Sequence, residues 1–260
     1  MRVFIMGGTG SIGSAVLKEL IARSHAVLAL SRSASSDEKI VSLGATPLRG
    51  DLREPSEWAR LAVSHDAIVQ VAATFSDDMG DVDAGVISAL IEAAADVETT
   101  PRLLYTGGCW LYGETGDAVA AEDRPFDPPP AFAWMVEQTL RLLGQPAFST
   151  AIIHPAMVYE GDGGVFERFL SAAREGRPIE IWGGAETRWP LIHHADLARA
   201  YCDLLVRPEL AGHFNAVAEE GVRVGDIVGS IAARHGARSA PVVVSAAELI
   251  ETYGEWAKGP

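Results

Sequence analysis

Cysteine is scarce in this chain. Two cysteines in 260 residues, Cys109 and Cys202, exclude a disulfide framework and a cysteine metal cluster, and they fit a reducing cytoplasm. Both read as small buried apolar side chains. Lysine is nearly as rare, with Lys18, Lys39 and Lys258 the whole set. Lysine and arginine together number 21 against 35 acidic residues, a formal charge of -14. Nucleic acids and anionic membrane surfaces need clustered cations, so both are excluded as partners. No stretch approaches the ~20 apolar residues of a membrane span. The N-terminal apolar run is also too short for a signal peptide. The expected compartment is therefore the cytoplasm. Against these absences stands a hydrophobic fraction of 48%, enough for one large core, or a main domain with a smaller lobe.

The most informative residues come first. Val3-Phe4-Ile5-Met6 reads as a short buried strand. It runs into Gly7-Gly8-Thr9-Gly10-Ser11-Ile12-Gly13, and helical spacing follows at Ala15, Val16, Leu17 and Leu20. Strand, glycine turn and helix start form a pyrophosphate cradle: Gly7 for the tight turn, Gly10 for close backbone approach, Gly13 for close packing of the helix. A glycine-rich turn that merely closes a βα unit is the alternative.

Strand-like and helix-like segments then alternate. Strands are expected at Val3–Met6, Ala26–Leu30, Thr46–Arg49, Ala67–Val71, Leu103–Thr106 and Thr150–His154. Helices are expected at Ile12–Arg23, Glu38–Leu43, Pro55–Val63, Val82–Ala95, Ala131–Leu143, Gly164–Glu175 and Ala195–Val206. Short Val/Ile/Leu runs suit a parallel sheet covered on both faces. The fold class is α/β, a Rossmann-type doubly wound parallel sheet with a small C-terminal substrate lobe. Residues 1–158 and returning segments near 190–217 form the dinucleotide-binding domain. Residues 159–189 and 218–260 form the lobe. The acidic, proline-rich stretch Glu122–Pro130 is a loop over the carboxyl ends of the strands. Asp77, Asp78, Asp81 and Asp83 read as a solvated loop and helix N-terminus, and their spacing specifies no metal site.

Six landmarks in order resemble one family: the glycine motif, Gly50-Asp51-Leu52, Val71-Ala72-Ala73, Tyr112-Gly113, His154 to Tyr159 and Arg188 to Ala198. Together they look like an extended or atypical short-chain dehydrogenase/reductase, of the NAD(P)-dependent epimerase/dehydratase group. The resemblance implies a cofactor site at Gly7, Thr9, Gly10, Ser11, Ile12, Gly13, Asp51, Leu52, Val71, Ala72, Ala73, Thr106 and Pro155. It places Asp51 and Leu52 at adenine, and Ala72 and Ala73 beside the adenosine ribose and pyrophosphate. It implies a substrate site at Gly108, Trp110 and Arg188, with Arg188 where sugar-nucleotide members hold a diphosphate. A surface ion pair is the alternative for Arg188. It also implies a small-molecule substrate or ligand and a homodimer through Val82–Ala95 and Ala131–Leu143; burial of those faces within the monomer is the alternative.

An NAD site places a carboxylate at the end of the second strand. Here the slot reads Leu30-Ser31-Arg32-Ser33, with no acid before Asp37. Arg32 can pair with a 2′-phosphate, and Ser31 and Ser33 can donate to it. The reading is NADP, with NAD open.

The family's chemistry needs a tyrosine followed four residues later by a lysine, and a Ser or Thr hydroxyl that aligns the substrate oxygen. Free tyrosine titrates near pH ~10, so a nearby ammonium is needed to lower it. Four residues after Tyr105, Tyr112, Tyr159, Tyr201 and Tyr253 stand Cys109, Gly116, Gly163, Leu205 and Ala257. Aligning Glu137 to the family's helix glutamate puts Pro129 in the tyrosine slot and Ala133 in the lysine slot. Gly108 takes the hydroxyl slot. Keto/alcohol redox by the usual relay is therefore not expected. Replacement proton donors are Tyr112, His154 and Cys109, with His193, His194 and a recruited Lys258 behind them; packing roles are the alternative for each. Trp110 and Trp134 can wall the nicotinamide pocket. The functions that follow are an NADP-binding protein without turnover, such as a cofactor sensor, or an NADPH-dependent reductase of flavins, quinones or activated alkenes with a non-standard acid. A sugar-nucleotide epimerase or dehydratase is the alternative.

Overall fold

Short Val/Ile/Leu runs between glycine turns become the strands of one parallel sheet. Residues 1–161, 163–235 and 241–253 are described in the computed structural model of the chain. Strands β1 (Arg2–Met6), β2 (Ala26–Ser31), β3 (Thr46–Arg49), β4 (Ala67–Gln70), β5 (Arg102–Thr106) and β6 (Ser149–Pro155) alternate with helices α1 (Ser11–Ala22), α2 (Ala34–Ser42), α3 (Ala59–Val63), α4 (Met79–Ala94) and α5 (Ala133–Leu143). The chain continues through β7 (Met157–Glu160), β8 (Gly163–Gly164), α6 (Glu167–Arg174), β9 (Glu180–Trp182), β10 (Arg188–His193), α7 (His194–Leu205), β11 (Gly212–Ala216), β12 (Glu219–Arg223), α8 (Val224–His235), β13 (Val242–Val244) and α9 (Ala246–Tyr253).

The seven-stranded sheet has the order β3-β2-β1-β4-β5-β6-β11, and every neighbouring pair is parallel. Its order reverses between β1 and β4, which opens a crevice at their carboxyl ends. Both faces are covered. On one, Val16, Leu17 and Leu20 of α1 pack with Leu197, Tyr201 and Leu205 of α7. On the other, Trp58, Ile87 and Leu90 close over Phe4 and Ile68, with Trp58 stacked on Phe4 at 5.6 Å. Full burial of each such side chain contributes about 1.5–3 kcal/mol.

The smaller sheet has the order β12-β10-β7-β8 and its own core around Phe169, Trp189 and Val228. Because β7 follows β6 after a single residue, this lobe hangs over the carboxyl edge of the main sheet. β10 pairs within the lobe, and the chain returns to the main sheet with α7 and β11. α2 begins at Ala34, four residues before the expected start, because the Ser33 hydroxyl accepts from the Ser36 N–H and caps it. α6 starts late because Gly164, at φ +67°, is paired to Tyr159 as a strand residue. Among the described residues no helix is long and apolar enough to cross a membrane.

Candidate functional site

The glycine turn sits at the switch point between β1 and β4. Gly7 has φ +87°, and a Cβ there would lie 2.8 Å from the Ala72 backbone. A Cβ on Gly13 would lie 2.0 Å from the Gly7 carbonyl oxygen. Protein packing therefore dictates both glycines. Gly10 is different. It is exposed, its φ of -73° suits any residue, and a Cβ would meet only the Gly7 oxygen at 3.5 Å. No protein contact requires glycine there, so the open space fits a ligand. No side chain caps α1, and no acid lies in its first turn. An uncapped helix start with a glycine at its mouth leaves N–H groups free to donate to an anion such as phosphate.

Thr9, Ser11 and Ile12 line this turn, and Lys39 of α2 donates from Nζ to the Thr9 carbonyl at 2.7 Å. At the end of β2 the predicted serines are engaged elsewhere. Ser31 is buried and its hydroxyl donates to the Ser33 carbonyl at 3.2 Å; the Ser33 hydroxyl caps α2. Arg32 is exposed, with no ion pair among the described residues. Asp37, the first acid after β2, is paired with Arg49. One oxygen of Asp51 accepts from the Arg53 N–H at 2.9 Å, an Asx turn that positions Leu52. Leu52, Val71, Ala72, Ala73, Ile12, Thr106 and Pro155 line one cavity of about 270 Å³ beside the glycine turn.

The proton-relay slots are occupied by packing. A Cβ on Gly108 would lie 2.3 Å from the Trp110 indole, so that ring fills the space a hydroxyl side chain would need. Trp110 leans on Phe132 at 5.5 Å, and its Nε1 is buried without a hydrogen-bond partner among the described residues. Trp110 and Trp134 both line the cavity. Pro129 and Ala133 flank the 3₁₀ turn that leads into α5. Lys258 lies outside the described residues.

Among the described residues the replacement donors are buried or bonded. His154 is fully buried, and a Cβ on Gly107 would meet its Nδ1 at 2.4 Å. The Gly108 N–H donates to His154 Nδ1 at 3.3 Å, so the neutral ring carries its proton on Nε2 and donates to His213 Nδ1 at 2.9 Å. Burial, with His213 alongside, pulls His154 down to about 4. Burial pushes the Cys109 thiol up to about 11. Tyr112 donates to Asn215 Oδ1 at 2.9 Å, and burial raises it above the usual phenol range. Thr106 donates to the Gln70 carbonyl at 2.6 Å and is bonded to Tyr201. His193 caps α7 through Nδ1, and His194 lies 3.2 Å from Glu160.

Arg188 lies in a second, larger cleft of about 740 Å³, bounded by Trp110, Tyr112 and the loop from Gly113 to Glu122. Its Nη1 donates to the Gly221 carbonyl at 3.1 Å and its Nε stands 3.7 Å from Asp117. Trp110 and Met157 border both spaces, and Gly108 lies against the Trp110 indole.

Asp83 departs from the solvated run expected of it. Asp83, Val86, Ile87 and Leu90 form the buried stripe of α4; the i, i+3, i+4, i+7 spacing in the sequence carries that signal. Asp83 accepts from Tyr105 Oη at 2.8 Å and from Gln70 Nε2 at 3.2 Å, and burial raises its carboxyl to about 6. Lys39 and Asp83 are the site residues that motif spacing alone does not reveal. No group of His, Cys, Asp or Glu among the described residues can hold a metal ion.

The chain is similar to proteins with varied names. It is 26% identical to an uncharacterized protein, C2A9.02, of Schizosaccharomyces pombe, over 98% of this chain and 86% of the relative. It is 28% identical to a 4-hydroxy-2-methyl-3-oxo-4-farnesyl-3,4-dihydroquinoline-1-oxide ketoreductase of Stigmatella aurantiaca, over 71% of this chain and 58% of that one. Its fold matches human epimerase family protein SDR39U1 with NADPH, at TM-score 0.80 and 23% identity over 100% of this chain and 89% of that one. It also matches the Thermus thermophilus UDP-glucose 4-epimerase complex with NAD, at TM-score 0.79 and 23% identity, over 95% and 86% of the two chains. The model of the NAD dependent epimerase/dehydratase family matches residues 3–217. With the parallel sheet, the reversed strand order and the glycine turn, that match places the chain in the NAD dependent epimerase/dehydratase family.

Proposed function

We propose that the protein binds NADP(H) and passes its reducing equivalents to a flat conjugated acceptor, such as a quinone or flavin, without a tyrosine acid. One observation carries this reading. The phosphate cradle is intact beside an apolar, aromatic-walled cavity, while the hydroxyl slot is filled by Trp110. When bound, the cofactor supplies a hydride, two electrons and one proton, to an acceptor.

The chain's own residues divide the remaining work. The free N–H groups at the start of α1, with Gly10 leaving room, hold the pyrophosphate. Asp51 and Leu52 bound the adenine, and Ala72 and Ala73 the ribose. Arg32 and Lys39 stand at the end of β2 and beside the glycine turn. Together they supply two cations for a 2′-phosphate, where an NAD site would have a carboxylate. Ile12, Thr106 and Pro155 bound the nicotinamide end. Trp110, Phe132 and Trp134 present ring faces to an acceptor. None of the cavity's side chains is a free cation that could lower a tyrosine's pKa, so the reduced acceptor takes its proton from water. A nucleotide diphosphate is disfavoured in the larger cleft, because Arg188 already faces Asp117 and Glu220 is a second acid there.

The test is loss of reduced-nicotinamide absorbance with NADPH and a panel of quinones and flavins. Turnover above the protein-free blank supports the reading. Intact NADPH binding with no turnover across the panel would replace the reductase with a cofactor-sensing role.

A further inference from the structure

Asp83 is a buried acid that the reading above leaves unused. It sits on α4 with 8% of its surface exposed and lines the same cavity as Ile12, Thr106 and Pro155. Gln70 Oε1 accepts from the Ala72 N–H at 2.9 Å, which fixes the amide and turns its NH₂ onto Asp83. The Tyr105 hydroxyl donates to the other oxygen. Both bonds run toward the carboxyl, so both support its charged form.

No cation does. β5 presents Tyr105 and β4 presents Gln70. α5, packed against α4, brings Trp134 and Met135 to the cavity; α3, also packed against α4, carries Arg60, which is exposed and paired with Asp96; and Asp81, on α4 itself, is exposed. Among the described residues no arginine, lysine or histidine pairs with Asp83 or adds to the causes of its shift. The family's lysine slot, on α5, holds Ala133. Burial puts the carboxyl's midpoint at about 6, so it is ionised at neutral pH. The usual sign of charge near the cofactor is therefore inverted in this chain.

Oxidised and reduced nicotinamide differ by one positive charge. We propose that the Asp83 carboxylate makes this site bind the oxidised cofactor more tightly than the reduced one, and so makes bound NADPH a stronger reductant than free NADPH. The inference rests on the NADP(H) reading above. At a separation of about 10 Å and an effective dielectric of ~20, one uncompensated charge changes such a preference by about tenfold. NADPH becomes NADP⁺ by giving a hydride, two electrons and one proton, to the acceptor, which takes any further proton from water.

The experiment is calorimetric titration of the full chain with NADP⁺ and with NADPH, at pH 8 and pH 5, for wild type and Asp83→Asn. The ratio of the two dissociation constants is the readout, since titration of the shared 2′-phosphate, with its midpoint near ~6, cancels in it. The expected wild-type ratio favours NADP⁺ at pH 8, by about tenfold more than in Asp83→Asn. That excess collapses at pH 5, where Asp83 is protonated, and the variant's ratio does not move. The wild-type pH arm needs no variant and stands if Asp83→Asn folds poorly. A wild-type ratio unchanged between pH 8 and pH 5, or equal to the variant's, overturns this inference and leaves the cofactor reading intact. Failure to bind either form overturns both.

Discussion

Gly10→Ala separates the ligand from the fold. At Gly10 the backbone is extended at φ -73° and ψ 177°, and an added methyl carbon would touch only the Gly7 oxygen, at an ordinary 3.5 Å. Loss of glycine's unfolded-state freedom works in favour of the variant, so its stability should change by less than about 1 kcal/mol. Affinity should not survive as well. A methyl at the mouth of α1 holds a phosphate off the helix N–H groups, and each charge-assisted bond lost costs about 1.5–3 kcal/mol. One or two such bonds correspond to a loss of about tenfold to several-hundredfold in NADPH affinity. Gly13→Ala is the contrast, because its methyl would sit 2.0 Å from a carbonyl oxygen and must move the loop. Urea denaturation and NADPH titration of the two variants give the comparison. Gly10→Ala that binds NADPH as wild type does, or that unfolds as readily as Gly13→Ala, refutes the assignment of the cradle.

Four further outcomes follow from the same contacts. Arg32→Ala with Lys39→Ala should weaken NADPH about tenfold or more and leave NADH binding nearly unchanged, as titrations with both cofactors would show. Gly108→Ser should destabilise by about 1–3 kcal/mol through its clash with Trp110, and Trp110→Ala in the same chain should relieve part of that loss in thermal melts. Tyr112→Phe should lose about 1 kcal/mol with its bond to Asn215 yet keep quinone turnover within about threefold; abolished turnover would make Tyr112 the missing acid. Asp83→Asn should be more stable than wild type at pH 8 by about 1–3 kcal/mol. The unfolded carboxyl ionises near 3.8 and the folded one near 6, so wild type loses stability as pH rises through that window and the amide does not.

The Rossmann half was legible because its signals are local. Residues Val3–Met6 are apolar without alternation, as a strand buried on both faces must be, and the glycine motif follows at once. The lobe was harder. β7 is half-buried throughout, and β8 has two residues, so neither carries a period long enough to read. Its strands exist because β10 pairs across 34 residues of sequence with β7, which no window spans. α2 begins before the expected Glu38 because Ala34, Ser35 and Ser36 carry no apolar period, and only the Ser33 cap marks its start.

Within the site, residues whose role depends on chain chemistry were readable, and those whose role depends on packing were not. The missing tyrosine and lysine follow from counting. That Trp110 fills the hydroxyl slot depends on where an indole two residues onward folds back. Ser31 looked like a phosphate donor because the sequence does not show its hydroxyl turning to the Ser33 carbonyl. Asp83 looked solvated among its acidic neighbours, although its helical spacing with Val86, Ile87 and Leu90 already placed it on the inward stripe.

The central claim is a working cofactor grip beside a dismantled proton relay. Calorimetric titration of the intact chain with NADPH, in low salt near pH 7.5, tests it most directly. The account predicts saturable one-to-one heat, weakened by Gly10→Ala; a flat trace up to high micromolar NADPH would contradict it.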